Sequence, residues 1–230
     1  IGAARSSEER IEFELMLMEL YYDLGQLQAT EGAARRLIGT KGQGEQLGGF
    51  STVERAYFVL VSLLLEQERY EESYKAATDA LRRFPKGANA PTLMLVSARA
   101  LFFMEKYAAA AQAFNRFIAG NPDSPEVSSA YFQLGICGEI LGDYEAAAQA
   151  FRTLAERFPA DALVPEALYR AGESLYNSSQ FEQALGVYLD VVERFPVSEQ
   201  ARKALYSASW TYMDMDQKQA SIASMERLVA

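Results

Sequence analysis

Four prolines stand at equal intervals: Pro85, Pro122, Pro159 and Pro196 follow one another by 37 residues each time. Other positions keep the same step. Tyr70, Tyr107, Tyr144 and Phe181 form one series; Phe114, Phe151 and Tyr188 form a second; Ala110, Ala147 and Ala184 form a third, and Gly135 recurs as Gly172. A chain that rewrites one unit in this way is constrained to stack like supersecondary elements, because a single short unit cannot bury its own apolar face.

Each period holds two helical patterns. Tyr131, Leu134, Gly135, Cys137 and Gly138 lie on one face of a first helix. Gly142 and Asp143 interrupt the pattern and predict a tight turn. Tyr144, Ala147, Ala148, Phe151, Leu154 and Ala155 then follow the spacing of an amphipathic helix that ends before Pro159. The segments 121–126 and 158–166 read as turns and helix starts, with proline in the first turn. No stretch alternates as a strand would. Gly135 opposite Ala147, and Gly172 opposite Ala184, predict close contact of the two helices of a pair, with aromatics filling the space to the next pair.

This pattern resembles the tetratricopeptide repeat, whose signature runs Trp-x2-Leu-Gly-x2-Tyr, then Ala-x3-Phe, then Pro. Here one unit reads Tyr131-x2-Leu134-Gly135-x2-Gly138, Ala147-x3-Phe151, Pro159; the next reads Leu168-x2-Ala171-Gly172-x2-Leu175, Ala184-x3-Tyr188, Pro196. The period of 37 exceeds the family's 34, and other residues replace the leading Trp. The resemblance implies an all-α fold: a right-handed α-solenoid of about six helix-turn-helix repeats in one continuous domain. Residues 1–50 hold a degenerate first repeat (Leu17, Met18, Tyr21, Gly25, Leu27, Ala34, Leu37) and a Gly-rich loop at 39–50 that adds six residues. Residues 51–230 form the regular array, with units at 51–87, 88–124, 125–161, 162–198 and 199–230. The last has no polar capping helix, so either the chain continues, or this end docks on a partner or on another copy.

Composition excludes several classes of function. The net charge is −9, which argues against nucleic acid, whose binding rests on Lys and Arg. There is no histidine, which removes the commonest general base and transition-metal ligand. The single Cys137 forms no internal disulfide and reads as inert core. The segment 39–50 lacks the Gly-Lys-Ser/Thr of a phosphate loop. Asp214 and Asp216 begin like a calcium loop, but Gln219 and Met225 stand where its Gly and Glu belong. No catalytic residue, metal or cofactor is expected, and no segment is apolar and long enough to span a membrane. The chain starts at Ile1 without a signal peptide, and is read as a processed or excised chain.

In tetratricopeptide arrays the first helix of each pair lines a concave face. The register places Phe58, Leu95, Phe132, Tyr169 and Tyr206 there, with Arg99, Glu173 and Trp210 between and Phe102 and Tyr176 further along; Ile136, Glu139 and Met213 share these rows. Aromatics and Arg are the usual anchors of interfaces. Either these residues pack against neighbouring repeats, or they line a groove for a protein or peptide with apolar and basic residues, rimmed by Glu166, Glu173 and Asp214. The expected function is that of a non-enzymatic interaction scaffold. The alternatives are a docking or regulatory segment of a larger enzyme, and a self-assembling solenoid joined through its open C-terminal repeat. The long repeat ending in Glu-Arg-Phe-Pro resembles bacterial cell-envelope tetratricopeptide proteins of the barrel-assembly lipoprotein and Tol-Pal coordinator type. That implies a periplasmic or envelope-associated location, with the cytoplasm as the alternative.

Overall fold

A computed structural model describes residues 7–40 and 51–229. Among them are twelve helices and no strand: α1 (Ser7–Asp23), α2 (Leu27–Gly39), α3 (Thr52–Glu66), α4 (Tyr70–Arg83), α5 (Ala90–Phe103), α6 (Tyr107–Gly120), α7 (Val127–Leu141), α8 (Tyr144–Arg157), α9 (Val164–Asn177), α10 (Phe181–Arg194), α11 (Glu199–Asp214) and α12 (Lys218–Val229). The all-α repeat fold is as the sequence predicts. Of the Gly-rich loop, residues 41–50 lie outside the described residues.

The turn within each pair is the same device six times. Gly25, Glu68, Glu105, Gly142, Ser179 and Asp216 all have left-handed φ, between 56° and 75°. From Glu68 onward they recur at the 37-residue step. After each, the next amide reaches back five residues, as in Arg69 N to Leu64 O (2.9 Å) and Gln180 N to Leu175 O (2.8 Å). This Schellman closure satisfies carbonyls that the helix end leaves bare.

The Arg-Phe-Pro run closes the second helix of several pairs. Arg83, Arg157 and Arg194 end α4, α8 and α10; the following Phe is the cap residue, and proline stops the helix. Each guanidinium sits over the next ring, at 5.5, 5.3 and 5.2 Å. First helices begin with Ser51 and Ser198 as side-chain caps, and with prolines in the first turns of α5 and α9.

The residues group into two compact units, Ile1–Ala113 and Phe114–Ala230. In the first, Ile11, Met18, Ala33, Ala34, Leu37 and Leu60 form one cluster and Val53, Tyr57, Val61, Ala77 and Leu93 another. In the second, one continuous cluster runs from Ala147 to Ala208, with Phe151, Leu154, Tyr188 and Val191 at its centre.

Contacts within the pairs correct one expectation. A Cβ on Gly135 would lie 2.5 Å from the Phe151 ring, and one on Gly172 would lie 2.4 Å from the Tyr188 ring. The glycines therefore make room for an aromatic of their own second helix, not for Ala147 or Ala184. The small-on-small contact is between Gly138 and Ala147. The aromatic is the larger neighbour, so it claims the space that the missing side chain leaves.

Candidate functional site: an aromatic face on the second unit

Six of the ten residues expected on the first-helix face belong to the second unit. Phe132 of α7 is half-buried. Its ring and that of Phe151 meet edge to face at 5.5 Å, and the Arg170 guanidinium lies over the Phe132 ring at 5.9 Å. Tyr169 of α9 is half-buried on Tyr188 at 6.2 Å, and that burial raises its phenol pKa above the ordinary range. Tyr176 packs on Phe181 at 5.4 Å and donates its hydroxyl to Asp214 of α11 at 2.5 Å; this bond to a carboxylate is the main cause of its raised pKa. Tyr206 and Trp210 of α11 are 53% and 48% exposed and meet edge to face at 6.2 Å. Met213 of the same helix is also exposed. The aromatic row is thus half-buried on α7 and α9 and open on α11.

The acidic rim is tied into the scaffold. Glu173 accepts the hydroxyl of fully buried Tyr188, and burial together with that bond raises the Tyr188 pKa. Glu166 holds Arg170 at 2.8 Å and accepts from Gln200 of α11 at 3.3 Å. Arg170 also reaches Glu139 of α7 at 2.8 Å. Glu139 is pushed above the usual carboxylate range, because burial outweighs the attraction of Arg170. These bonds lock α7, α9 and α11 in register and hold Asp214 beside Tyr176, one turn beyond Trp210. Arg170 was missed by the sequence reading; the Glu166–Arg170 spacing of four on one helix was the signal available.

The other four residues lie in the first unit. Phe58 is half-buried and lines a cleft of about 410 Å³ with Glu19, Tyr22, Asp23, Arg55, Val59 and Asn89. Leu95 is fully buried and presents nothing to a ligand. Arg99 is half-buried, and Phe102 is half-buried between Phe103 at 5.7 Å and Tyr107 at 5.4 Å. Cys137 is buried, which pushes its thiol up to about 11. No helix among the described residues is long and apolar enough to cross a membrane.

Sequence models of the tetratricopeptide repeat match residues 95–162 and 166–198. Several solved structures share the fold. A tetratricopeptide repeat protein from Parabacteroides merdae superposes with a TM-score of 0.65 at 14% identity, over 96% of this chain and 79% of its own. MamA from Desulfovibrio magneticus gives 0.61 at 16% identity, over 76% and 93%. YrrB, described as a tetratricopeptide protein with an unusual peptide-binding site, gives 0.60 at 19% identity, over 76% and 84%. No curated protein sequence matches.

Proposed function

Because this chain is a tetratricopeptide-repeat protein, we propose that it is an interaction scaffold whose second unit binds an extended peptide segment of a partner protein. The observation that carries the reading is the Tyr206–Trp210 edge on α11. Two large rings are half open to solvent, yet are fixed on a helix whose opposite face is buried through Ala204, Leu205 and Ala208. Exposed aromatics on a rigid element lose little freedom on binding, which suits them to anchor an interface. Asp214, one turn beyond Trp210, and Glu173 have neutral tyrosine partners, so their charge is not cancelled by a salt bridge among the described residues. The segment bound therefore carries an apolar side chain over Tyr206 and Trp210 and a basic one toward Asp214. The peptide-binding site named for YrrB shows a use to which this fold is put. We place the protein in a bacterial cell envelope on the style of its repeat, to be checked by fractionation.

Trp210 is the sole tryptophan, so its emission reports on the site directly. Titration with short unstructured peptides pairing Leu or Phe with Arg is expected to give a saturable blue shift, which is lost when Glu replaces Arg. Tyr206→Ala is expected to weaken binding at least about tenfold while leaving the melting transition in place. A half-buried Tyr169 makes Tyr169→Ala a poorer test, because that ring also supports the core. Binding that is indifferent to both peptide charge and Tyr206 would refute the site.

A further inference from the structure

We propose that a second copy of this chain lays its α12 on the open face of α1, continuing the repeat from one molecule to the next. The proposal is independent of the peptide site on α11.

The helix α1 is apolar on two sides. Ile11 and Met18 are buried against its own pair, with Leu15 and Tyr21 beside them. Met16, Leu17 and Leu20 run along the other side at helical spacing and are exposed, Met16 by 57% and Leu20 by 55%. The molecule shows what normally covers this side. Matched through the turn residues Gly25 and Glu68, Phe13, Met16, Leu17 and Leu20 correspond to Ala56, Val59, Leu60 and Leu63 of α3. All four of these are buried, and α2 packs over α3. Of the same positions, Leu93, Val96 and Ala100 under α4, Ala167, Ala171 and Ser174 under α8, and Ala204, Ala208 and Thr211 under α10 are buried, while Ser97, Arg170 and Ser207 are half-buried. In each case the second helix of one pair covers the first helix of the next.

The complementary face is on α12. Ile222 stands at the position of Leu185 in α10 and Ala148 in α8. Those two are buried, whereas Ile222 is 57% exposed. Met225 is exposed beside it, while Ser221 and Ser224 are buried on the inner side. The helix also repeats the pattern of α2: Gln28, Ala29, Thr30, Arg36 and Leu37 of α2 recur as Gln219, Ala220, Ser221, Arg227 and Leu228. So α12 shares the frame of the helix that covers α3, with Ile222 and Met225 where α2 has Glu31 and Ala34. Charge agrees. Helix α1 has six acidic residues against one basic, of which Glu14 and Glu19 pair with Arg36 and Arg55 of their own chain, and α12 has two basic against one acidic, so the net charges of the two helices are opposite. The contact is heterologous, with each copy offering one face of each kind.

Sedimentation velocity of the 230-residue chain is expected to give a mass that rises above 25.5 kDa between micromolar and near-millimolar concentration. Leu20→Glu and Ile222→Glu each remove one face and are expected to be monomeric. Mixed in equal amounts they are expected to form a dimer and nothing larger, since each keeps one intact face. Both positions are exposed, so the melting curves should match the wild type. Met16→Lys and Ile222→Gln give the same cross should either first variant fail to fold. A wild-type mass fixed at 25.5 kDa would overturn the proposal and leave the face to a foreign helix. Association that survives Ile222→Glu but not Leu20→Glu would replace it with pairing of α1 on itself, and a mixture that stays monomeric would also sink it.

Discussion

The two units fill the inside of a helix pair with opposite choices. In two pairs of the second unit the first helix carries glycine and the second helix an aromatic, Gly135 with Phe151 and Gly172 with Tyr188, while the last pair has Ser209 with Met225. In the first unit the same two positions are Met18 with Ala34 and Val61 with Ala77, all fully buried. The large residue has changed sides. Packing demands that the space be filled, but not by which helix. The choice has a consequence on the surface. Where the second helix supplies the ring, that ring reaches under the first-helix face and supports Phe132 at 5.5 Å and Tyr169 at 6.2 Å. Phe58, at the matching position of the first unit, instead packs against a cluster of aliphatic residues and alanines.

The largest effect is expected from breaking that arrangement. Tyr188→Ala removes a fully buried ring and orphans the Glu173 contact, and should cost about 3–5 kcal/mol in urea denaturation. Gly172→Leu, which drives a side chain into the ring, should cost roughly 1–3 kcal/mol. Combining Tyr188→Ala with Gly172→Val copies the Val61–Ala77 arrangement of the first unit and should recover more than half of the loss, a coupling that a double-mutant cycle reads directly. A double variant no better than Tyr188→Ala alone would mean that the two positions do not share one volume.

A smaller effect is expected at the turns. Gly25 and Gly142 take left-handed φ at no steric cost, whereas Glu68 and Ser179 take it with a Cβ. Glu68→Gly in the first unit and Ser179→Gly in the second should each raise stability by about 0.5–1 kcal/mol, the relief of strain exceeding the added freedom of the unfolded chain. A loss of stability at either site would show that the side chain does more there than tolerate the turn.

Those turns mark how far the sequence could be read. The period was legible because proline and glycine act locally: Pro159 stops a helix and Gly142 turns one whatever surrounds them. At Glu68, Glu105 and Ser179 the same turn is held by the repeat around it, and the residue gives no sign of it. On the candidate site, register named the row of first-helix aromatics but not its exposure, which depends on neighbours in space. Leu95 and Tyr206 occupy the same register position, yet one is buried and the other open. Glu173 read as a rim charge, but it holds a buried tyrosine hydroxyl. Arg170 went unnoticed because its register mates are Val96, Gln133 and Ser207, so its bridge between α7 and α9 is peculiar to one repeat.

The smallest effect separates the units by the sign of their pH dependence. In the first unit, Glu31 is held below the ordinary glutamate value of 4.5, foremost by its hydrogen bond from Arg69. It contributes stability above that value and loses it as pH falls through the depressed folded pKa. In the second unit, burial raises Glu139 above 4.5 despite Arg170. The folded state then holds a proton more tightly than the unfolded chain does. Its contribution is fully present below 4.5 and is lost as pH rises through the folded pKa. Urea midpoints measured from acid to neutral pH should therefore show the advantage of wild type over Glu31→Gln growing, and its advantage over Glu139→Gln shrinking. If both gaps moved in the same direction, the Glu139 carboxylate would be governed by its arginine and not by burial. The contact between α7 and α9 would then be an ordinary salt bridge, like those that Glu31 makes to Arg35 and Arg69.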